Sequence, residues 1–327
     1  MELLITISNN FLSPPILFFL LGIIAGVIKS DLNIPSSISK YLTIYLMMSI
    51  GFKGGYSILL DNEINLQMVL LIISGAMISF LLPFLGFWLL NLYTKLDNAT
   101  AAAVAAHYGS VSIVTFATAV SFIKFYELQH KSYIISILAI MEAPAILSGL
   151  YIAHKKAPKT RNHKKEEKKL YREIFTNGSI LLLLGSFLIG LITGESGFQK
   201  VKAFLITPFN GILCLFLLDM GLIVAKEFHY FKKFTFSLMI FGIYMPIISA
   251  LIGMILCFII DVDVGTTLLF TVLCSSASYI AVPAAMRLAL PEAKAGIYIP
   301  MSLAITFPFN IILGIPIYYS IICIYFK

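Results

Sequence analysis

Charged residues are scarce in this chain of 327 residues: 12% are Asp, Glu, Lys or Arg, whereas 59% are hydrophobic. A soluble protein of this length cannot hide so much apolar surface, because its exposed positions are mostly polar. The mean hydropathy of +0.95 therefore excludes an ordinary soluble domain. It predicts that a lipid bilayer surrounds much of the chain.

Cysteine is also scarce, and its pattern excludes two kinds of site. The chain has four cysteines, which lie far apart in apolar runs with no CxxC or other metal-ligand spacing. This pattern predicts buried free thiols rather than disulfides or a zinc site. The N-terminus has no basic region before its first apolar run, so we predict a retained span rather than a removable signal peptide.

The basic residues are unevenly distributed along the chain. The net charge is +7, and nine of the 23 Lys and Arg residues lie between Lys155 and Arg172. Basic loops are typical of the cytoplasmic side of membrane proteins, so this charge does not require a nucleic-acid partner. With this loop in the cytoplasm, 16 basic residues lie inside and six outside, and both termini lie outside.

Ten apolar stretches are long enough to be membrane spans, which need about 20 residues each. The sequence thus predicts an all-α membrane protein with ten transmembrane helices. The stretches are 14–28, 36–54, 66–94, 99–123, 131–154, 178–195, 201–225, 233–260, 265–289 and 296–325.

The long basic loop divides these stretches five and five, so the two halves would insert with opposite orientations. "ILFFLLGIIAGVI" from residue 16 is echoed by "ILLLLGSFLIGLI" from residue 180, and three further matches follow in the same order. We therefore predict two inverted five-helix repeats, 1–154 and 178–327, joined by a basic cytoplasmic linker, 155–177.

Two hydroxyl-rich segments occupy corresponding places in the two halves. They are "GSVSIVTFATA" from residue 109 and "SSASYIAVP" from residue 275. Glycine and proline predict broken helices here, and freed N–H groups at a half-helix N-terminus attract an anion. The alternative is that small polar residues only allow close helix packing. The candidate substrate-binding residues are Gly109, Ser110, Ser112, Thr115, Ser275, Ser276, Ser278 and Tyr279.

Two carboxylates, Glu142 and Asp219, lie deep within apolar stretches, where a charge is costly unless it is paired or protonated. They are candidate cation-binding residues, with structural hydrogen bonds as the alternative. Thr306 and Asn310 flank Pro308 and are candidates to supply neutral oxygens to the same ion. A sodium ion is the expected cation at this site, and we predict no other cofactor.

Several motifs together resemble the SbtA-type sodium-dependent bicarbonate transporter family in its wider bacterial form. The resemblance extends over nearly the whole chain. Its motifs are "IGFKGG" at 50–55, "GSVSIVTFATA" at 109–119, "EAPAIL" at 142–147, "LFLLDMGL" at 215–222, "SASYIAVPAAMRLALPEA" at 276–293 and "SLAITFPFNIILGIPIY" at 302–318.

The resemblance implies core and gate subdomains, helices broken at the membrane midplane, and sodium-coupled bicarbonate import by an elevator-like motion. It also implies a homotrimer in the bacterial inner membrane and a PII-like regulatory partner on the cytoplasmic side. Tyr279 stands where the cyanobacterial pattern has an aspartate, and Ile113 and Val114 stand where it has Gly and Ser. The missing aspartate leaves protons open as an alternative coupling ion.

Two other classes of function remain as alternatives. Glu142 and His107 would be the reactive groups of an intramembrane enzyme, although no HExxH or GxSxG motif accompanies them. A channel or receptor for a small anion is the second alternative. The repeat favours alternating access over a fixed pore, and thus a secondary transporter over either alternative.

Overall fold

The computed structural model describes residues 12–59, 65–156, 178–227, 234–279, 282, 283, 286, 290 and 292–325. The regular structure within these residues is helical, with no strand. Most of the predicted linker, 157–177, lies outside the described residues.

Ten longer helices follow one another up to residue 275, and shorter helical segments complete the described chain. The helices are α1 (Pro14–Val27), α2 (Ser36–Ile58), α3 (Leu66–Tyr93), α4 (Asn98–Gly109), α5 (Ile113–Phe125), α6 (Ile134–Lys156), α7 (Gly178–Val201), α8 (Phe209–Glu227), α9 (Phe236–Ile260), α10 (Val264–Ser275), α11 (Ala295–Pro300), α12 (Phe307–Phe309) and α13 (Ile315–Tyr325). Three π-helical segments, π1 (Lys202–Ile206), π2 (Met301–Thr306) and π3 (Asn310–Gly314), adjoin them.

Six helical stretches among the described residues are long and apolar enough to cross a membrane. Large apolar side chains also lie on the outside of the molecule, such as Ile192 at 81% and Phe236 at 73% exposed. Such exposure would be costly in water but is neutral in lipid. The chain is therefore a multi-pass membrane protein.

Side-chain caps fix where the two interior helices begin. Asp97 accepts a hydrogen bond from the N–H of Thr100 at 2.8 Å, and Asp263 accepts one from the N–H of Thr266 at 2.9 Å. Such caps satisfy N–H groups that lack a partner in the first turn of a helix. α4 and α10 each run for 12 residues from these caps, so both end at similar depth.

α4, α5 and α10 form the interior of the molecule. Every residue from Thr100 to Gly109 is buried, and so is every residue from Gly265 to Ser275. α3 and α6 pack on α4, while α9 and α13 pack on α10. Irregular backbone at the ends of α4 and α10 is thus enclosed by protein, as it must be in a membrane.

Helices from the first half pack tightly on helices from the second half. α1 lies along α8, and α2 lies along α7. A methyl group on Gly55 would come within 1.8 Å of the Phe187 carbonyl oxygen, and one on Gly221 within 2.1 Å of the Phe19 carbonyl oxygen. Backbones that approach this closely are typical of helix contacts built on small residues. The two predicted halves are therefore interleaved rather than side by side.

Candidate functional site

The two predicted helix breaks are present, and they touch. α4 ends at Gly109 and α5 begins at Ile113, while α10 ends at Ser275. The N–H of Ser278 donates to the carbonyl oxygen of His107 at 2.9 Å. In the reverse direction, the N–H of Ser112 donates to Ser276 Oγ, also at 2.9 Å. Each break therefore satisfies a buried backbone N–H of the other.

Gly109 allows the first break to lie against α3. A methyl group on this residue would come within 2.4 Å of Pro83 Cγ and 2.8 Å of the Ser79 carbonyl oxygen. Ser112 then starts α5 as its N-cap, because its Oγ accepts from the N–H of Thr115 at 3.2 Å and from Thr115 Oγ1 at 2.9 Å. The Thr115 side chain therefore holds the Ser112 hydroxyl in place and does not line the cavity described below.

The serines of the second break have different roles. Ser275 Oγ donates to the Val272 carbonyl at 3.3 Å, and Ser276 Oγ donates to the Leu273 carbonyl at 3.0 Å. Ser278 Oγ accepts from the N–H of Val282 at 3.5 Å, which is beyond the usual range for a strong bond. Of these three hydroxyls, that of Ser278 makes the weakest hydrogen bond to the protein and is the most available to a ligand.

A small cavity of about 10 Å³ lies where the breaks meet, and residues of both predicted ion sites line it. Its lining includes Ser112, Ser278, Tyr279 and Glu142, and the remainder is Met47, Val111 and Ile113. Ser112 and Ser278 are 4% and 2% exposed, so the cavity lies deep in the protein. Its volume is that of about one water-sized ion.

Glu142 brings a carboxylate to this cavity from the middle of α6. The residue is 2% exposed, and its Oε2 has no hydrogen-bond partner. The Ser110 side chain lies beside the carboxyl group, yet Ser110 Oγ makes no bond of good geometry. Among the described residues, no Lys or Arg lines the cavity. An ionised Glu142 would therefore need a small cation, since an unpaired buried charge is costly.

Tyr279 closes the cavity at the position where the family pattern has an aspartate. Its ring packs edge-on against Phe307 with centroids 5.3 Å apart. Its hydroxyl lies near Ser112 but has no hydrogen-bond partner. A buried hydroxyl without a partner is available to donate to a bound anion.

Thr306 and Asn310 brace the breaks from outside the cavity. Thr306 Oγ1 lies 2.7 Å from the Tyr108 hydroxyl and donates to the Gly242 carbonyl at 2.7 Å. Asn310 Nδ2 donates to the Ser275 carbonyl at 2.8 Å, which satisfies the C-terminal end of α10. The structure thus places both predicted cation ligands in bonds to the protein.

Asp219 and His107 also lie apart from the cavity lining. Asp219 is buried in α8 with its side chain near Ser39 of α2, and its Oδ2 has no hydrogen-bond partner. His107 Nδ1 lies 2.6 Å from the Ala103 carbonyl, and its ring lies against Tyr298 with centroids 4.8 Å apart. The structure therefore does not bring Glu142, Asp219 and His107 into one reactive group.

Sequence reasoning missed Met47 and the paired caps. Met47 lies on the α2 face that meets the breaks, and nothing in the sequence distinguishes it from other apolar residues. The caps did leave a signal: the pattern Asp-x-x-Thr occurs at Asp97 and again at Asp263, 166 residues later. Ser110 and Ser276 have the same separation, as do Ser112 and Ser278.

The donor set is unlike that of a transition-metal site. No group of three or more His, Cys, Asp or Glu side chains with suitable spacing occurs in the part of the chain that the structure describes. A single carboxylate among hydroxyl and carbonyl oxygens is the environment of a hard monovalent or divalent cation.

A comparison with curated proteins gave no match. A family model described as the Na⁺-dependent bicarbonate transporter superfamily matches residues 14–323, which is nearly the whole chain. This is a family of transporters and not of enzymes. With the buried polar cavity in a multi-pass helical protein, the match leads to one conclusion: the chain belongs to the Na⁺-dependent bicarbonate transporter superfamily.

Proposed function

We propose that the protein is a secondary active transporter that imports bicarbonate together with sodium. The observation that carries this proposal is the cavity in which Ser112, Ser278, Tyr279 and Glu142 meet. It offers hydroxyl groups and a helix N-terminus to an anion, and a carboxylate to a cation. Family membership makes bicarbonate and sodium the natural occupants.

The anion would lie against the first turn of α5. This helix begins at Ile113 and has 13 residues, so the free N–H groups of its first turn and its dipole favour a negative charge. Ser112, Ser278 and Tyr279 would replace part of the hydration shell of the anion. A monovalent anion fits the absence of basic side chains from the described part of the lining.

Glu142 provides a physical reason for coupling. At a separation of about 5 Å and an effective dielectric constant of about 20, two like charges repel by about 3 kcal/mol. An anion would therefore bind roughly a hundredfold more weakly beside an ionised, unneutralised Glu142. A sodium ion at the carboxylate removes this repulsion, so each ion would favour binding of the other. Pro144 lacks an N–H, so the Ile140 carbonyl oxygen has no helical partner and is available as a further neutral oxygen ligand for the cation.

We also propose the ten-span inverted repeat and the elevator-like motion. Two capped 12-residue helices that end in touching breaks support a repeat. The packing of α1 on α8 and of α2 on α7 supports it as well, because each pair joins helices from the two halves. In this proposal the interior helices α4, α5 and α10 carry the bound ions, and the α1–α8 and α2–α7 pairs form the gate. The cytoplasmic basic linker, the homotrimer and the PII-like partner remain part of the proposal.

The test is uptake of labelled bicarbonate into vesicles with and without an imposed sodium gradient, comparing wild type with Glu142→Gln. We expect sodium-driven uptake by wild type and its loss in the variant, because Gln cannot hold the cation. The fold should persist, since Gln has nearly the same shape. Asp219→Asn serves as the comparison and should show a milder defect, because Asp219 lies outside the cavity.

Sodium-stimulated uptake at the wild-type level in Glu142→Gln would remove this residue from the mechanism. Uptake driven by a proton gradient and indifferent to sodium would replace sodium by protons as the coupling ion. A conductance that does not saturate with bicarbonate would instead indicate a channel.

A further inference from the structure

A second and larger cavity, of about 40 Å³, lies between α2, α5, the start of α6 and the π1–α8 turn. Most of its lining is apolar, including Phe116, Val120 and Ile135. Two lysines, Lys53 and Lys124, also line it, together with Ser49. No function discussed above uses this space, and a pair of like charges facing an apolar cavity calls for an occupant.

Among the described residues, no carboxylate forms an ion pair with either lysine at this cavity. Within the described residues an ion pair joins Lys294 to Asp97, but none involves Lys53 or Lys124. Lys124 is exposed at the end of α5, whereas Lys53 is partly buried one turn above Ser49. Two ammonium groups with no carboxylate partner create a positive potential over the cavity.

Ser49 provides a second and independent polar group. The residue is 2% exposed, and its Oγ has no hydrogen-bond partner. The Tyr45 hydroxyl lies beside Ser49 but donates to the Phe204 carbonyl, and Ser49 Oγ has no bond of good geometry. An unpartnered hydroxyl buried beneath two lysines suits an acceptor-rich ligand such as an oxyanion.

His130 is a further titratable group near the two lysines, and its charge state affects the potential at the cavity. It lies in the loop after α5, within electrostatic reach of Lys53, Lys124 and Asp263. Burial, followed by the charge of Lys53, lowers the pKa of His130 below its ordinary value, and Asp263 opposes this only in part. His130 is therefore neutral at pH 7 and leaves the two lysines as the charges that face the cavity.

The two cavities follow one another along the same pair of helices. On α2 the central cavity is lined by Met47 and the second cavity by Ser49 and Ile50; on α5 they are lined by Ile113 and Ala117 respectively. With a rise of 1.5 Å per residue, these linings are separated by about 3–5 Å along α2 and about 6 Å along α5. Both cavities therefore lie between α2 and α5, one next to the other.

We propose that the second cavity is an entry site, where Lys53, Lys124 and Ser49 hold a small monovalent oxyanion before it reaches the central cavity. This inference rests on the proposed function for the identity of the anion, but not for the anion preference of the cavity itself. A lipid chain would also fill apolar space, yet it would leave the partly buried Lys53 ammonium group and the Ser49 hydroxyl unsatisfied. The site raises the local concentration of the anion. It therefore favours binding of the anion from solution and leaves the rate of the later transport step unchanged.

Thiol labelling tests the anion preference without any transport. Ser49→Cys is introduced in a chain whose accessible Cys214 and Cys323 are replaced by Ser, and the purified protein in detergent reacts with methanethiosulfonates of opposite charge. The anionic reagent should react preferentially. Lys53→Gln combined with Lys124→Gln should lower the anionic-to-cationic rate ratio on the order of tenfold, and Lys131→Gln should leave it unchanged.

A rate ratio that is the same with and without the two lysines would overturn the proposal. So would a failure of both reagents to reach the thiol introduced by Ser49→Cys, because the cavity would then be closed to ions. If Ser49→Cys fails to fold, Val120→Cys offers a second position in the same lining.

Uptake kinetics then test the role in capture. Lys53→Gln should raise the KM for bicarbonate several-fold with unchanged maximal rate and sodium dependence, and Lys53→Arg should restore the KM. A fall in maximal rate without a change in KM would reject a capture role. Absence of bicarbonate uptake in wild type would reject the proposed function while leaving the labelling result to decide the anion preference.

Discussion

Single residues in the central cavity differ in how much of their hydrogen-bonding capacity the protein already uses. Ser275 and Ser276 donate to carbonyls of their own helix, whereas the hydroxyl of Tyr279 and Oε2 of Glu142 have no partner. An unused buried polar atom costs about 1–3 kcal/mol, and a bound ion that makes a hydrogen bond or contact there removes this cost. This contrast separates the residues that would meet the ions from those that build the break.

Ser112→Ala should raise the KM for bicarbonate by roughly ten- to a hundredfold. The hydroxyl of Ser112 lines the cavity, and loss of a hydrogen bond to a charged group costs about 1.5–3 kcal/mol. Ser276→Ala should also weaken uptake, because it removes the acceptor for the N–H of Ser112. Initial rates of labelled uptake at several bicarbonate concentrations provide the measurement.

Ser148→Ala is the matched control for both variants. Ser148 is fully buried, but its hydroxyl donates to the Ala145 carbonyl of its own helix and lies outside the cavity lining. Its KM should stay at the wild-type value. Unchanged KM values in Ser112→Ala and Ser276→Ala would return these serines to a role in helix packing.

At the scale of elements, two short helices that stop inside the protein create the site. A continuous helix would bond all its N–H and C=O groups internally and offer none to a ligand. The stops at Gly109 and Ser275 free these groups, and the reciprocal bonds between the breaks satisfy part of them. Polar groups that still lack a partner, such as Glu142 Oε2 and the Tyr279 hydroxyl, line the cavity.

Gly109→Ala tests the packing of the first break against α3. The new methyl group would clash with Pro83 and with the Ser79 carbonyl, so we expect a loss of about 1–3 kcal/mol in stability. Thermal unfolding in detergent should show a lower midpoint. Gly185→Ala, where a methyl group would meet no atom within 4 Å, should keep or slightly raise the midpoint.

Asp97→Ala tests the cap of α4. Loss of the bond from the N–H of Thr100 should cost about 1 kcal/mol, and Asp97→Asn should retain most of the capping because Asn is a good N-cap. The readout is the midpoint of thermal unfolding at pH 7. Equal midpoints for wild type and Asp97→Ala would show that tertiary packing alone fixes the start of this helix.

The cap of α4 should also depend on pH. Burial would raise the pKa of Asp97, but bonds from Thr100 and the ammonium group of Lys294 outweigh it and hold the pKa below its ordinary value. The stabilisation is therefore present above the ordinary pKa of about 3.9 and is lost as the pH falls through the lower folded value. Between pH 7 and pH 3, wild type should lose more stability than Asp97→Asn, and equal losses would contradict this sign.

At the scale of the whole molecule, the two halves of the chain share one interior. α1 and α2 pack on α8 and α7, and the two breaks bond to one another across the halves. Neither half would have its polar backbone satisfied alone. A change at the contact between halves should consequently affect both the fold and the cavity.

The orientation of the molecule remains a prediction from the distribution of basic residues. A cysteine introduced near Lys164, in a chain without accessible native cysteines, should react with a membrane-impermeant reagent only after the cytoplasmic side is exposed. Intact cells should protect it, and inverted vesicles should not. Labelling of intact cells would reverse the proposed direction, with the basic loop outside.

The sequence by itself determined the class of protein, the position of the apolar stretches and the place of the two breaks. These follow from local properties: apolar length, glycine and proline at particular positions, and hydroxyls within apolar runs. The family resemblance drawn from its motifs is confirmed by the match over residues 14–323. Around Pro308 the backbone stays helical and passes through the π-helical segments π2 and π3.

Only the tertiary structure decided which of the predicted site residues meet. Glu142 joins Ser112, Ser278 and Tyr279 because α6 packs on α4, and Asp219 lies elsewhere because α8 packs on α1 and α2. Thr306 and Asn310 turn out to brace the breaks, and Lys53 and Lys124 converge on a second cavity. No local pattern encodes these outcomes, because they depend on contacts between residues far apart in the chain.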